Sequence, residues 1–229
     1  MIRLASFLSR GDVRPRLGAA EGDAMRDLSA AHGADWDMRR ALALPVDELS
    51  AMIAAASTEL PLAECHLLPP IPDPGKIFCV GKNSKVHREE LVAQGMLKED
   101  PQEPTGFVKL TETLVGEGAR VVRPEGITTF DYEPELAFIV TRRAFRVKRE
   151  RAREYVGGIT VLNDLTAREI QKQEVMSGTR FWTAKNMPGF TPVGPYAVPL
   201  AEIADPYNLW LTCDVNGERR LRVNTDEYI

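Results

Sequence analysis

The sequence predicts an α+β protein, with a small N-terminal domain over residues 1–70 and a larger, sheet-dominated domain over residues 71–229. Three observations carry this. Short apolar runs broken by glycine open the chain, and an alanine-rich helical pattern follows. The stretch Pro69-Pro70-Ile71-Pro72-Asp73-Pro74-Gly75 then forbids regular structure, because proline fixes φ and lacks an amide donor. Beyond it, apolar strand-like segments alternate with polar helical ones.

Taken in order, residues 1 to about 30 read as a small hairpin-like β region punctuated by Gly11, Gly18 and Gly22. From Asp37 through Ala56, the spacing of Met38, Leu42, Leu44, Leu49 and Ile53 predicts helix, with Pro45 interrupting it or starting a new segment. After the proline-rich boundary, Lys76 to Gly81 is a buried-strand candidate. Ser84 is placed to cap a short helix carrying His87, Glu90 and Leu91. Val121 to Val140 is strand-like on both sides of a turn at Gly126. Phe145 to Tyr155 is charged and helical in pattern, with Gly157-Gly158 ending it. Ile159 to Leu162 is another strand, and Thr166 with Glu169 three residues on forms a capping-box signature for a helix to about Val175.

With 229 residues and 44% hydrophobic content, the chain can bury a substantial core. Its 29 basic and 33 acidic residues leave a net charge of −4, so there is no global pull toward nucleic acid or an anionic membrane. The basic run Arg142 to Arg149 is interrupted by Glu150 and Glu154 and reads as a solvated face. Gly116-Glu117-Gly118 lacks the context of a phosphate loop. Cys65, Cys79 and Cys213 are odd in number and scattered, which suits neither a disulfide framework nor a zinc site. The first ten residues are too weakly apolar for a secretory signal, and no run approaches a membrane span. A cytoplasmic protein with small-molecule partners is expected.

The chemistry concentrates in Asp131-Tyr132-Glu133-Pro134-Glu135 and the later Asn163-Asp164. On a strand, Glu133 and Glu135 point to one face, and Asp164 can add a third oxygen ligand from a strand-to-helix junction. Carboxylates without His or Cys suit Mg²⁺, Mn²⁺ or Ca²⁺. The competing reading is a solvated edge strand marked by Pro134. His87 and Glu90 share a helical face, so the carboxylate can orient the imidazole as a base; a plain surface pair fits the spacing as well. Lys109 and Lys185 each follow an aromatic residue, and from the residues alone ordinary surface snorkelling accounts for both.

The order of motifs closely resembles that of the fumarylacetoacetate hydrolase family. It runs Cys79-Val80-Gly81-Lys82-Asn83 to His87 and Glu90, then Phe107-Val108-Lys109, Asp131 to Leu136, Asn163 to Gln171, Lys185, Pro192 to Pro195 and Asn216-Gly217-Glu218. The resemblance implies a catalytic domain built on a rolled, mixed β-sheet, preceded by a variable N-terminal domain, and a homodimer. It implies metal ligation by Glu133, Glu135 and Asp164, catalysis by His87, Glu90 and Lys185, and substrate contacts from Arg168, Gln171 and Lys109. The implied activity is metal-dependent C–C bond hydrolysis of an acylpyruvate or fumarylacetoacetate-like diketo acid through an enolate. Hydratase, isomerase, decarboxylase and dehydratase variants are the alternatives, as is a weakened ligand-binding member.

The chain departs from the pattern in three places. Ser84 stands where many members carry an aromatic residue, and Pro188 where they carry an acid. Residues 96–104 resemble an inserted lid. The chain also stops at Ile229, before the family's usual C-terminal Gly-Asp and Thr-Gly-Thr-Pro stretch.

Overall fold

The computed structural model describes residues 1–81, 83–85, 89, 92, 105–179 and 181–228. His87, Glu90 and residues 96–104 lie outside this set, so the expected base pair and lid do too.

The first unit is an antiparallel sheet with a helical layer. Strands β1 (Leu4–Leu8), β2 (Arg16–Glu21), β3 (Ala24–Asp27), β4 (Glu59–Pro61) and β5 (His66–Leu67) lie in the order β4-β3-β2-β1-β5. The β2–β3 hairpin pairs Glu21 with Ala24, so only Gly22 and Asp23 form its turn, and Gly22 takes the positive φ of 57° that so tight a loop demands. Asp27 ends β3 and caps α1 (Leu28–His32) through Ala30 N–H at 2.9 Å; fully buried, it is also ion-paired with Arg16. The expected helical segment is split by its proline. α2 (Met38–Leu42) is capped by Asp37, and α3 (Val46–Ala55) begins directly after Pro45.

Leu4, Leu17, Leu28, Met38, Leu42 and Leu49 form one core, which also takes in Ile139 and Ala197 from beyond the proline-rich stretch. Leu4 and Ala197 exchange backbone hydrogen bonds of 2.9 and 2.8 Å. The early strands thus brace the later ones.

In the later part, β6 (Ile77–Gly81) and β7 (Thr105–Lys109) form an antiparallel ribbon. β8 (Leu114–Val115) runs parallel to a distant pair, Thr191–Pro192. β9 (Phe130–Asp131) pairs with Thr166–Ala167. β10 (Pro134–Val140) is antiparallel to β11 (Val156–Asn163), which also pairs with Val198–Pro199. With β12 (Thr166–Ala167), α4 (Arg168–Met176), β13 (Thr191–Pro192) and β14 (Val198–Pro199) named, the chain closes on the hairpin of β15 (Trp210–Val215) and β16 (Glu218–Asn224). This is the expected α+β architecture of short, curled, mixed sheets.

Three local expectations are corrected. Residues 121–129 form no strand; only Phe130–Asp131 and Pro134–Val140 do. In the charged stretch only Arg149–Tyr155 is helical, and it is a 3₁₀ helix with no buried residue, because it has no apolar stripe to pack. Gly157 and Gly158 end no helix but lie inside β11, where the missing side chains admit Leu42 of α2. A Cβ on Gly157 would stand 2.5 Å from the Thr141 methyl and 2.6 Å from the Leu42 carbonyl oxygen. Gly157→Ala is therefore expected to lower stability by about 1–3 kcal/mol through overpacking, read from denaturant unfolding.

Candidate active site

The site is assembled where β10 begins and β11 ends. Glu133 N–H donates to Asn163 Oδ1 at 2.9 Å, and Asp164 N–H donates to the Glu133 carbonyl at 2.8 Å. These two bonds clamp Glu133 beside Asp164 although thirty-one residues separate them in the chain. Pro134 follows as the first residue of β10, at the edge of its sheet, where a missing N–H costs nothing.

A buried ammonium lies between the two carboxylates. Lys185 Nζ donates to Glu133 Oε2 at 2.5 Å, to Asp164 Oδ2, and to Thr166 Oγ1 at 2.8 Å, which uses all three of its N–H bonds. Its nitrogen also sits 5.0 Å from the centre of the Phe107 ring, and that ring packs edge-on against Phe181. Lys185 is held there by neighbours that the sequence did not single out. Glu174 of α4 accepts from Thr183 N–H at 2.6 Å and caps the 3₁₀ turn Thr183–Lys185. Asn186 bonds to the backbone of Leu110, Val108 and Trp182.

On the other side, Arg168 reaches Glu133 and Asp131, each at 2.5 Å, and donates to Gln171 Oε1 at 2.8 Å. Lys109 donates to Asp164 Oδ1 at 2.5 Å and to the Lys185 carbonyl at 2.6 Å. With Lys109 and Lys185 exposed by only 1% and 3%, the snorkelling reading of both is overturned. Asp164 is bonded to both lysines. Asp131 was legible as the residue two before Glu133, on the same face of an extended segment.

The capping-box expectation also fails. Thr166 belongs to β12 and donates to the Asp164 carbonyl, and the helix N-cap is Ala167 without a side-chain bond. Glu169 turns instead to Thr128 and Thr129, accepting from both N–H groups at 2.9 Å and from the Thr128 hydroxyl.

The electrostatics follow from burial and pairing. Burial alone would raise Glu133, but Lys185 and Arg168 outweigh it and hold its carboxyl below the ordinary range. Burial wins at Asp164 and raises it despite both lysines. Glu135 is pushed up to about 7 by burial first and then by the charges of Glu133 and Asp164. Tyr228 rises to about 12 by burial and the nearby Glu135, and burial pushes the Cys79 thiol to about 12, which leaves it protonated and unreactive at neutral pH.

By donor chemistry the carboxylates of Glu133, Glu135 and Asp164 suit a hard divalent cation, and Glu135 feels the charges of the other two. Among the described residues, however, no three His, Cys, Asp or Glu side chains are arranged to hold one ion, since Lys185 supplies the counter-charge between Glu133 and Asp164.

The curled α+β fold thus carries a buried carboxylate–ammonium cluster at a strand junction. The family described as fumarylacetoacetate (FAA) hydrolase C-terminal matches residues 76–229, and the chain belongs to that family. A mitochondrial oxaloacetate tautomerase of Caenorhabditis elegans is 34% identical over 154 residues, covering 67% of this chain and 69% of the relative. Another, of Xenopus laevis, is 31% identical over 234 residues, covering 100% of this chain and 71% of the relative. The crystal structure of maleylpyruvate hydrolase from Sphingobium sp. SYK-6, in complex with manganese(II) and pyruvate, superimposes with a TM-score of 0.75 at 28% identity, covering 99% of this chain and 78% of that one. No helix among the described residues is long and apolar enough to cross a membrane.

Two predictions arise from this geometry. Removing one partner of a buried ion pair leaves its counter-charge uncompensated, so Lys185→Met in chelator-containing buffer is expected to lose about 3–5 kcal/mol in denaturant unfolding. Glu169 is held at about 2, against an ordinary 4.5, by the Thr128 hydroxyl and then the Thr129 N–H. Its folded pKa is depressed, so its contribution to stability is present above pH 4.5 and fades as pH falls toward 2. The stability gap between wild type and Glu169→Gln should therefore narrow across that window, read from unfolding midpoints at successive pH values.

Proposed function

We propose that this chain catalyses keto–enol chemistry on a small 2-oxo dicarboxylic acid of the oxaloacetate type. The observation that carries the reading is the buried Lys185 ammonium held between Glu133 and Asp164, with Arg168 alongside. An enolate spreads negative charge over oxygens, and cations already placed in a buried site stabilise such charge when the ligand takes over one of their partners. Lys185 is the residue assigned to the developing oxyanion. Arg168 is assigned to a substrate carboxylate: its planar fork suits bidentate recognition of a carboxylate, and among the described residues its side chain bonds to Asp131, Glu133 and Gln171 with three of its five N–H groups.

Glu133, Glu135 and Asp164 would hold Mg²⁺ or Mn²⁺, which when bound supplies Lewis-acid polarisation of the substrate carbonyl. His87, paired with Glu90 by the family resemblance, is assigned the role of base that moves the proton. Tautomerisation needs only that transfer between oxygen and carbon. The oxaloacetate tautomerase names of the two relatives support this reading.

A second reading is C–C hydrolysis of an acylpyruvate, which needs His87 to activate a water in addition. The maleylpyruvate hydrolase neighbour with its pyruvate favours it. The homodimer implied by the family resemblance belongs to either reading, and sedimentation of the purified chain tests it.

The deciding experiment supplies the chain with Mg²⁺ or Mn²⁺ and follows the enol absorbance of oxaloacetate and of acylpyruvates, with product analysis by mass spectrometry. Accelerated enol decay without carbon–carbon cleavage supports tautomerisation, and release of pyruvate from an acylpyruvate supports hydrolysis. Glu133→Ala is expected to lower either rate by about 100-fold or more. No acceleration on any member of the panel would overturn both readings.

A further inference from the structure

We propose that Lys109 is a positioning residue, which joins Asp164 to the main chain of Lys185 and thereby sets where both side chains stand. The proposal deepens the reading of Glu133, Asp164 and Lys185 as the centre of the site, and rests on it.

The alternation of β7 sends Val108 outward, where it is exposed, and Lys109 inward, where its side chain has no exposed surface. A buried ammonium is expensive unless anions and carbonyls surround it, and an apolar residue of similar volume would serve packing as well. Lys109 meets that cost with two short bonds, to Asp164 Oδ1 and to the Lys185 carbonyl. Asp164 therefore bridges two ammonium groups that repel each other, and it keeps one oxygen for each.

The same stretch of β7 grips the Lys185 turn from its other side. Leu110 N–H donates to Asn186 Oδ1 at 2.6 Å, and Asn186 Nδ2 donates to the Val108 carbonyl at 3.1 Å. The Lys109 ammonium is thus turned toward Asp164 and the Lys185 backbone. Its geometry assigns it to holding the groups that meet a ligand, in place of the substrate contact implied by the family resemblance.

Charge and position make opposite predictions. Deleting a cation beside converging carboxylates strengthens binding of a divalent ion if Lys109 acts only through its field. Deleting a positioning contact weakens it, by about 10–100-fold for a partner that orients a ligand side chain. The test compares wild type with Lys109→Met by calorimetric titration with Mn²⁺, thermal unfolding, and steady-state kinetics on the substrate found for the wild type.

The expected result is weaker Mn²⁺ binding and a lower kcat at nearly unchanged KM, with Lys109→Arg recovering part of the affinity. Unchanged or tighter Mn²⁺ binding overturns the proposal. So does a raised KM with kcat preserved, which marks a substrate contact, or a lowered Tm with affinity and kcat intact, which marks a purely structural role. Should the methionine variant not fold, Lys109→Gln, which keeps a donor without the charge, is read by the same criteria. Failure of the wild type itself to bind Mn²⁺ overturns the reading of the site and this proposal together, whereas equal binding by wild type and variant overturns this proposal alone.

Discussion

A fully wrapped ammonium inside a protein is stable only among anions, and the enclosure of Lys185 by Glu133, Asp164 and Thr166 is the constraint that the surrounding structure serves. Each of those acceptors comes from a different piece of chain. Glu133 precedes β10, Asp164 follows β11, and Thr166 belongs to β12. Bringing them to one nitrogen fixes the register of three strands. The Asn163 side chain and the Asp164 N–H bond act as the rivets.

The cluster is balanced as well as enclosed. Arg168 shares Glu133 with Lys185 and takes Asp131 for itself, and Lys109 shares Asp164 with Lys185. Three cations thus meet three carboxylates, and Glu135, which has no ion pair among the described residues, is pushed to about 7 by burial and then by Glu133 and Asp164. An arrangement so tightly paired is rigid at rest. An anionic ligand or a divalent cation entering it competes directly for existing partners, so occupancy and rearrangement of the pairs are one event.

Much of this was legible in the sequence where local rules act alone. Pro45 split the helices, and the position of Asp164 after an apolar strand put it at a junction, whereas of the two neighbouring glutamates only Glu135 lies in β10 and Glu133 precedes it. What was misread depended on partners far along the chain. Thr166 and Glu169 have capping-box spacing, but Thr166 is claimed by β12 and Glu169 by Thr128 and Thr129, forty residues away. Gly157-Gly158 reads locally as a helix end, yet it serves the close approach of Leu42. The two lysines, each following an aromatic residue, read as surface snorkels, and the counter-charges that bury them arrive through the fold.

The same physics explains how relatives named for tautomerisation and for hydrolysis share one scaffold. On the proposed reading both reactions pass through an enolate stabilised by Lys185 and Arg168, and those cations take no part in deciding whether water also attacks. That decision rests with groups around the periphery, above all a base able to activate water. On the proposed reading, the buried cluster serves the enolate step that the two activities share, and the less enclosed residues that frame it are left to distinguish substrates. Among the described residues, the Phe107–Phe181 pair lies beside Lys185 and the Arg168 guanidinium beside Glu133, so both border the cluster.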